Sequence, residues 1–250
     1  MPKFKILIFL LALLTLFSSC QNTDTGTGNL PPNSSAPLRL TPDEDKIAVF
    51  ALGSPENFWA REDRGNGAPF NCAFSRSNVS FDDGLLTLAL TKSQNGYVGA
   101  EYRTMQRYSY GYYSVSFKPA KCSGVISSFF TYTGWPWDEI DIEFLGNDTT
   151  RVQFNYYTNG KGGHEYVYIL GFDASESFHE YGFDWQKDSI TWYVDGRAVY
   201  RATKDTPTTA GNIMMNLWNV DDSAKNWAGA FNEDQLPVYS QYQWIGYKSA

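Results

Sequence analysis

Apolar and polar residues alternate along much of the chain. Runs with this period of two predict β-strands at residues 85–90, 113–118, 152–157, 166–170, 190–194 and 197–201. Asp195 and Gly196 separate the last two runs, and this dipeptide is typical of a tight hairpin turn. No stretch sustains a helical period. Many short strands joined by glycine-rich turns predict an all-β sandwich.

Residues 137–144 carry the strongest pattern of this kind. Glu139, Asp141 and Glu143 occupy alternate positions, and apolar residues stand between them. Alternate residues of a strand lie roughly 6.5–7 Å apart and point the same way, so three carboxylates share one face. Acids on a half-exposed strand are often merely solvated. Here, however, no Lys or Arg separates the three charges, and aromatic residues flank the row: Phe129, Phe130, Tyr132, Trp135, Trp137, Phe154, Tyr156 and Tyr157.

An open face with aromatic walls and central acids suits a sugar polymer, whose rings stack on aromatic side chains. Cleavage of a glycosidic bond needs a carboxylate and a carboxylic acid, which retaining enzymes hold about 5–5.5 Å apart. Positions i and i+4 of a strand are roughly 13 Å apart at Cα, and two glutamates can lean inward to close much of that gap. Because packed carboxylates do not all ionise readily, at least one pKa of the coupled set should rise and supply a proton donor near neutral pH.

The sequence around this strand resembles glycoside hydrolase family 16. The resemblance rests on residues 137–146 (WDEIDIEFLG), 147–160 (NDTTRVQFNYYTNG), 127–134 (SSFFTYTG) and 213–219 (IMMNLWN). The uninterrupted Glu-x-Asp-x-Glu spacing is similar to that of the bacterial lichenases, which are endo-β-1,3-1,4-glucanases, and of xyloglucan-active relatives. The resemblance implies a jelly roll of two curved antiparallel sheets, of which the concave one carries the substrate groove.

The same resemblance implies roles for individual residues. Glu139 would be the nucleophile, Glu143 the general acid and then the general base, and Asp141 an auxiliary residue that tunes the nucleophile. For Glu101 and Arg103 the alternative is an exposed cross-strand ion pair, and for the other matched residues it is core or plain sheet surface. The residues that match substrate-binding positions are Asn66, Glu101, Arg103, Phe130, Tyr132, Trp137, Asn155, Tyr157, Asn216, Trp218 and Trp227.

The chain departs from the lichenase pattern near the glycone end of the groove and at a metal position. The loop 134–137 is shorter than in lichenases, and Arg64 stands where they usually have Tyr. Gln243 replaces an Asp that often binds calcium, and a neutral amide is a weaker ligand for a hard cation. We therefore predict no cofactor and no tightly bound metal, and a structural calcium ion stays open but is not predicted.

The cysteines of the predicted domain also depart from the pattern. Cys72 matches one half of a family disulfide, but Gly99 stands at the position of the usual partner. Cys122 lies elsewhere in the sequence. Whether Cys72 and Cys122 pair stays open, because the sequence does not give their Cα separation.

The N-terminal region predicts export. Lys3 and Lys5 precede an apolar run at residues 6–17, and small residues and Cys20 follow. This order is typical of a signal peptide, and the run is short for a transmembrane helix. The segment resembles a bacterial lipobox, which implies a signal peptide at 1–19 and a lipid on Cys20; plain cleavage and secretion is the alternative. Residues 20–43 read as a flexible tether, and residues 44–250 as one catalytic domain.

The charge of the chain narrows the choice of partner. Without Lys3 and Lys5, 18 of the 20 basic residues remain against 27 acidic ones, which gives a net charge of −9. This argues against nucleic-acid binding and suits a neutral polysaccharide. His164 and His179, the only histidines, have no metal-ligand spacing. We expect a monomer that touches a membrane only through its N-terminal lipid.

These observations favour a retaining endo-β-glucanase that hydrolyses β-1,4 bonds of mixed-linkage β-1,3-1,4-glucan by double displacement. A xyloglucan-active hydrolase or transglycosylase is the alternative within the same chemistry, and the short loop 134–137 keeps it open. A non-catalytic glycan-binding sandwich is the alternative of a different class, against which the complete set of Glu139, Asp141 and Glu143 argues.

Overall fold

The computed structural model describes residues 45–250, so the predicted signal peptide, the predicted lipidation site Cys20 and the tether lie outside the described residues. Within that range the chain forms β1 (Lys46–Val49), β2 (Phe58–Ala60), β3 (Cys72–Phe74), β4 (Val79–Asp82), β5 (Leu85–Ser93), β6 (Gly96–Tyr108), β7 (Gly111–Lys118), β8 (Val125–Tyr132), β9 (Glu139–Leu145), β10 (Arg151–Tyr157), β11 (Tyr166–Ile169), β12 (His179–Gln186), β13 (Ser189–Val194), β14 (Arg197–Ala202), β15 (Gly211–Asn219) and β16 (Val238–Ser249). The described helical segments are short: α1 (Lys225–Ala228) and the 3₁₀ turns Phe50–Leu52, Arg76–Asn78, Asp222–Ala224 and Glu233–Gln235. None of the helices at positions 45–250 is long and apolar enough to cross a membrane.

The strands form two curved antiparallel layers. The strand order is β11-β10-β9-β8-β15-β6 in the first layer and β5-β16-β7-β12-β13-β14 in the second, and the long strand β6 joins them. The start of β6 pairs with the end of β5, whereas its later part pairs with β15. Strand β3 is the exception to the antiparallel pattern, because it pairs with β6 in parallel.

The core lies between the two layers and is rich in aromatic rings. Phe117 of β7 meets Phe144 of β9 edge to face, with ring centroids 5.4 Å apart. Trp192 of β13 stacks on Phe154 of β10 at 5.6 Å, and its indole nitrogen donates to the backbone oxygen of Asp141. The second layer therefore packs directly beneath the acidic strand and fixes its backbone.

The strands predicted from the alternating pattern are confirmed, as is the all-β sandwich. The run at 166–170 ends one residue earlier, at Ile169. Asp195 and Gly196 both have positive φ, 48° and 74°, as a two-residue hairpin turn of the primed type requires.

Candidate active site

The three acids lie side by side on the outer face of β9, at the centre of the first layer. Ile140, Ile142 and Phe144, which alternate with them, are completely buried in the core. The pairing of β9 with β8 and β10 sets the neighbours of each acid. Glu139 lies between Tyr132 and Tyr157, Asp141 between Phe130 and Asn155, and Glu143 between Ser128 and Gln153.

Two further strands extend the same face away from β9. Asn216 of β15 pairs with Ser128 on one side and with Glu101 of β6 on the other. In the next row, Met214 lies between Phe130 and Arg103. The strand register therefore brings most of the predicted substrate-binding residues onto one continuous surface: Glu101, Arg103, Phe130, Tyr132, Asn155, Tyr157, Asn216 and Trp218. We call this surface the groove face.

Two stacked aromatic side chains, Trp137 and Tyr157, position Glu139. The indole nitrogen of Trp137 donates a hydrogen bond to Oε2 of Glu139. The Trp137 ring stacks on Tyr157, with centroids 4.6 Å apart and planes 14° apart. Gly162 lies against the Tyr157 ring so closely that a Cβ there would fall 2.4 Å from Cε1. The turn after β10 therefore supports the ring pair that orients Glu139.

Asp138 anchors the start of the acidic strand from below. Its side chain is 2% exposed and accepts hydrogen bonds from three backbone amides, those of Asn159, Thr208 and Thr209. A buried carboxylate with three backbone donors is a strong local tie. It joins β9 to the turn after β10 and to the segment before β15, and so fixes the backbone between Trp137 and Glu139.

Glu143 is held from the other side by an amide. Nε2 of Gln153 donates to Oε2 of Glu143 at 2.9 Å, and the indole nitrogen of Trp227 donates to Oε1 of Gln153 at 3.1 Å. Trp227 was predicted as a wall of the groove. It is half-buried, and its indole nitrogen is used by this hydrogen bond, while its ring lies 6.2 Å from that of Trp218.

Burial raises the pKa of every acid in the row. The pKa of Glu143 rises to about 7, and the pKa of Glu139 rises to about 8. The pKa of Asp141 is also raised, first by burial and then by the charges of Glu139 and Glu143. Hydrogen bonds oppose the effect of burial: Trp137 and Asp141 donate to Glu139, and Gln153 donates to Glu143. The set therefore retains protons at neutral pH, in agreement with the expectation from its spacing.

Glu101 is a deeply buried acid on β6. It is 2% exposed, its Oε2 accepts from Nη1 of Arg61 at 3.1 Å, and Nη1 of Arg103 lies 4.0 Å from Oε1. The alternative of an exposed ion pair between Glu101 and Arg103 is therefore wrong, because the loop before β3 covers Glu101 and supplies Arg61. Burial raises the pKa of Glu101, and both arginines oppose that rise. Within residues 45–250, Oε1 of Glu101 is buried and has no hydrogen-bond partner.

Asn66 lies outside the paired strands, on the loop 61–71, and is exposed. The ends of this loop are fixed beside the groove face. Arg61 binds Glu101, and the Phe70 ring stacks on Trp218 with centroids 3.8 Å apart. Asn66 thus belongs to a segment that borders the groove face on the side of β6 and β15.

A cavity of about 460 Å³ opens at the end of the groove face next to the short loop 134–137. It is lined by Trp59, Arg103, Met105, Arg107, Tyr132, Thr133, Gly134 and Asn212. The guanidinium group of Arg103 lies 4.0 Å from the centroid of the Trp59 ring. Trp135, in the loop itself, is 90% exposed. The short loop therefore leaves this end of the groove face open.

Gln243, at the position where no calcium ion is predicted, already takes part in a hydrogen bond. Oε1 of Gln243 accepts a hydrogen bond from Oγ of Ser116 at 2.7 Å. In the part of the chain that the structure covers, no three His, Cys, Asp or Glu side chains are grouped as a metal site would need. An amide oxygen is a weaker ligand for calcium than a carboxylate, and this one already accepts a hydrogen bond.

Cys72 and Cys122 are both free and buried. The open pairing question is thus answered in favour of two thiols. Cys72 lies against Gly99, where a Cβ would fall 2.9 Å from its sulfur. Burial raises the pKa of the Cys72 thiol to about 11, so it stays protonated and unreactive at neutral pH.

Sequence reasoning missed several residues that support the site, namely Trp59, Arg61, Asp138 and Gln153. Gln153 carried a usable signal, because it lies two residues before Asn155 and so shares its face of β10. Arg61 carried none, since its loop position says nothing about its contact with Glu101.

Comparison with known proteins agrees with this geometry. The family model of glycosyl hydrolases family 16 matches residues 66–243. A β-glucanase of Paenibacillus macerans is 55% identical over 201 residues, which cover 76% of this chain and 83% of that protein. A xylanase/β-glucanase of Ruminococcus flavefaciens is 49% identical over 240 residues, and the match covers 90% of this chain but only 28% of that longer protein. The solved β-glucanase of Bacillus licheniformis superposes with a TM-score of 0.79 at 46% identity, covering 83% of this chain and 100% of that one.

Proposed function

The chain belongs to glycosyl hydrolases family 16, and from that membership we propose that it is a retaining endo-β-glucanase that hydrolyses β-1,4 bonds in mixed-linkage β-1,3-1,4-glucan. The substrate class is supported by relatives at about half identity that are named β-glucanase. It is also supported by a β-1,3-1,4-glucanase (lichenase) from a mouse hindgut metagenome, which superposes with a TM-score of 0.78 at 47% identity over 81% of this chain and 98% of that one. The observation that carries the proposal is the row of three carboxyl groups with raised pKa values on the groove face.

Glu139 is the nucleophile of the proposed reaction. Its carboxylate attacks the anomeric carbon of the sugar, and the bond to the leaving oxygen breaks. Trp137 and Asp141 both donate hydrogen bonds to Glu139, and these bonds oppose the effect of burial and stabilise the carboxylate that attacks. Asp141 stays protonated because its pKa is raised, so its O–H group can donate a hydrogen bond to Glu139.

Glu143 is the proton donor. A pKa of about 7 leaves the carboxyl group protonated in a useful fraction of molecules at neutral pH. In the first step its proton goes to the leaving oxygen of the glucan. In the second step the carboxylate takes a proton from water, the water oxygen bonds to the anomeric carbon, and Glu139 is released. The two displacements together retain the configuration.

The shape of the groove face suits the interior of a glucan polymer rather than its end. This face crosses five strands, from β10 to β6, and is therefore roughly 19 Å wide, which is enough for several consecutive sugar units. Phe130 and Trp218, which are 7% and 4% exposed, form part of a floor that excludes water beneath the sugar rings.

A xyloglucan-active enzyme is the second candidate, and the cavity beside the loop 134–137 is the observation that favours it. A space of about 460 Å³ next to the groove face offers room for a branch on the glucan polymer. The catalytic chemistry would be the same. An unbranched and a branched substrate therefore separate the two candidates.

The test is release of reducing sugar from barley β-glucan, lichenan, laminarin, xyloglucan and carboxymethylcellulose. We expect activity on the first two, and its loss in Glu139→Ala but not in Glu56→Ala, a matched variant at an exposed glutamate. Activity led by xyloglucan would keep the mechanism and move the substrate to the second candidate. Unchanged activity in Glu139→Ala would refute the assignment of the nucleophile, and binding without cleavage by the unaltered protein would favour a glycan-binding sandwich.

We also propose that the protein is exported and carries a lipid on Cys20, because a charged start, an apolar run and small residues precede that cysteine. Metabolic labelling with a fatty acid tests this. We expect label in the unaltered chain and none in Cys20→Ala. Label retained in that variant would contradict the proposal, and release of unlabelled protein into the medium would favour plain secretion.

A further inference from the structure

Gln153 and Trp227 are linked to Glu143 by two consecutive hydrogen bonds, which can fix the orientation of its carboxyl group. Gln153 is 6% exposed and lies directly opposite Glu143 in the pairing of β10 with β9. Both of its polar atoms are engaged: Oε1 accepts from Trp227 at 3.1 Å, and Nε2 donates to Glu143 at 2.9 Å. The three side chains thus form one continuous chain of hydrogen bonds.

The direction of these bonds follows from the chemistry of the indole. The Trp227 nitrogen is a donor only, so the group that faces it must be the amide oxygen of Gln153. The amide nitrogen must then face Glu143, and it can only donate. Oε2 of Glu143 is therefore held as an acceptor, and when the carboxyl group is protonated, its proton lies on Oε1.

Trp227 is itself fixed by a braced segment. It lies in α1, and the backbone oxygen of Ala228 accepts from the amide of Gly124, which precedes β8. Further along, Glu233 accepts from Nζ of Lys92 at 2.5 Å and from the hydroxyl of Tyr97 at 2.6 Å. These hydrogen bonds fix the segment that carries Trp227, so that its indole can select one orientation of the amide.

We propose that Gln153, oriented by Trp227, is a positioning residue that restricts the catalytic proton of Glu143 to Oε1 and aims it at the leaving oxygen. This inference rests on the proposed function, in which Glu143 is the general acid. It goes beyond that function by assigning the proton to one oxygen and by giving Trp227 a role other than stacking on sugar.

Loss of the Gln153 donor should also change the titration of Glu143. The charged or titratable groups that face Glu143 are Glu139 and Asp141 on its own strand, Tyr157 on β10, and Glu165 before β11. None of these is a cation, so Gln153 is the side chain that opposes the effect of burial on Glu143. Without it, the carboxylate is less stabilised and its pKa rises further.

The test compares Gln153→Met, which removes the donor at similar volume, and Trp227→Phe, which keeps the ring without its N–H. Gln241→Met, on β16 of the second layer, is the matched control. Two substrates are used: β-glucan, and a 2,4-dinitrophenyl β-glycoside whose leaving group needs no proton. Because kcat/KM reports steps up to the first bond cleavage, it isolates the action of Glu143 as an acid.

For Gln153→Met we expect kcat/KM on β-glucan to fall by about 10- to 100-fold and on the aryl glycoside by no more than about 3-fold. The basic limb of the pH profile should move upward by about half to one pH unit. Trp227→Phe should change both quantities in the same direction by less, and Gln241→Met should change neither. An equal loss on both substrates with an unmoved basic limb would show a structural or sugar-binding role and overturn the proposal.

A measurement that does not depend on turnover keeps this inference separate from the proposed function. Carboxyl ¹³C NMR can follow the titration of Glu143 in the unaltered protein and in Gln153→Met. The pKa of Glu143 should be higher in the variant, whether or not any polysaccharide is cleaved. An unchanged titration would overturn the inference, whereas inactivity of the unaltered protein on every polysaccharide would overturn the proposed function.

Discussion

Replacing Glu143 by Gln should stabilise the protein at alkaline pH and leave its stability unchanged at acidic pH. Burial raises the pKa of Glu143 from its ordinary 4.5 to about 7. Below pH 4.5 the carboxyl group is protonated in both the folded and the unfolded chain, so burial has no cost in ionisation. As the pH rises, the unfolded chain loses this proton first. The folded state then binds more protons than the unfolded state, and its stability falls between about pH 4.5 and 7.

The magnitude follows from that difference in pKa. At about 1.4 kcal/mol for each pKa unit, the full effect is about 3 kcal/mol. Glu143 is partly open to water in the groove, so we expect about 1–2 kcal/mol. Gln has the same shape and keeps an oxygen that can accept from Gln153, so little packing is lost. For a domain of this size the gain corresponds to about 2–8 °C in Tm.

Thermal unfolding of the two proteins at pH 4 and at pH 8 provides the assay, with Glu56→Gln as a control for removal of an exposed charge. We expect Glu143→Gln to unfold at a higher temperature than the unaltered protein at pH 8 and at the same temperature at pH 4. The control should shift Tm little at either pH. An equal gain at both pH values, or none at pH 8, would refute the argument that burial destabilises the ionised form of Glu143.

Three further predictions concern the support of the site and its independence of metal. Asp138→Ala should lower the free energy of unfolding by about 3 kcal/mol or more, because it removes a buried carboxylate that accepts from three backbone amides; urea unfolding measures this, and a loss below about 1 kcal/mol would contradict it. Gly162→Ala should lower kcat/KM on β-glucan by about 10-fold or more, because the new Cβ would fall 2.4 Å from the Tyr157 ring, while Gly53→Ala, where no atom lies within 4 Å but φ is +87°, should lower stability and leave kcat/KM unchanged. EDTA should leave Tm unchanged, since Gln243 is a neutral residue whose oxygen is already bonded; a fall of several degrees that calcium restores would show a calcium site.

The alternating pattern was sufficient to predict the all-β sandwich, whereas the family resemblance supplied the residues of the groove face. A period of two is consistent with Asn155 and Tyr157 sharing one side of β10, but it does not tell which side faces a ligand. It could not predict Arg61, which reaches Glu101 from a loop 40 residues away in sequence. Contacts of that kind depend on how a loop crosses the sheet, and no local pattern encodes its path.

The same limit applies to Trp227, because its match to a substrate-binding position gave no indication of its contact with Gln153. From sequence, an aromatic residue near a sugar site suggests stacking. The structure directs its indole nitrogen to Gln153, because α1 approaches β10 at the end of the acidic row. The distinction between stacking on a ring and donating a hydrogen bond depends on the orientation of the indole, which residue type alone does not determine.

The acidic strand tolerates three adjacent carboxyl groups because its other face and its ends are fixed independently of their charges. Ile140, Ile142 and Phe144 are fully buried, and each such side chain contributes about 1.5–3 kcal/mol. Asp138 ties the start of the strand to three backbone amides. These contacts do not change when an acid of the row gains or loses a proton. The site can therefore keep its carboxyl groups close enough to raise their pKa values without losing the geometry that catalysis needs, and neutralising one of them should raise stability while it removes activity.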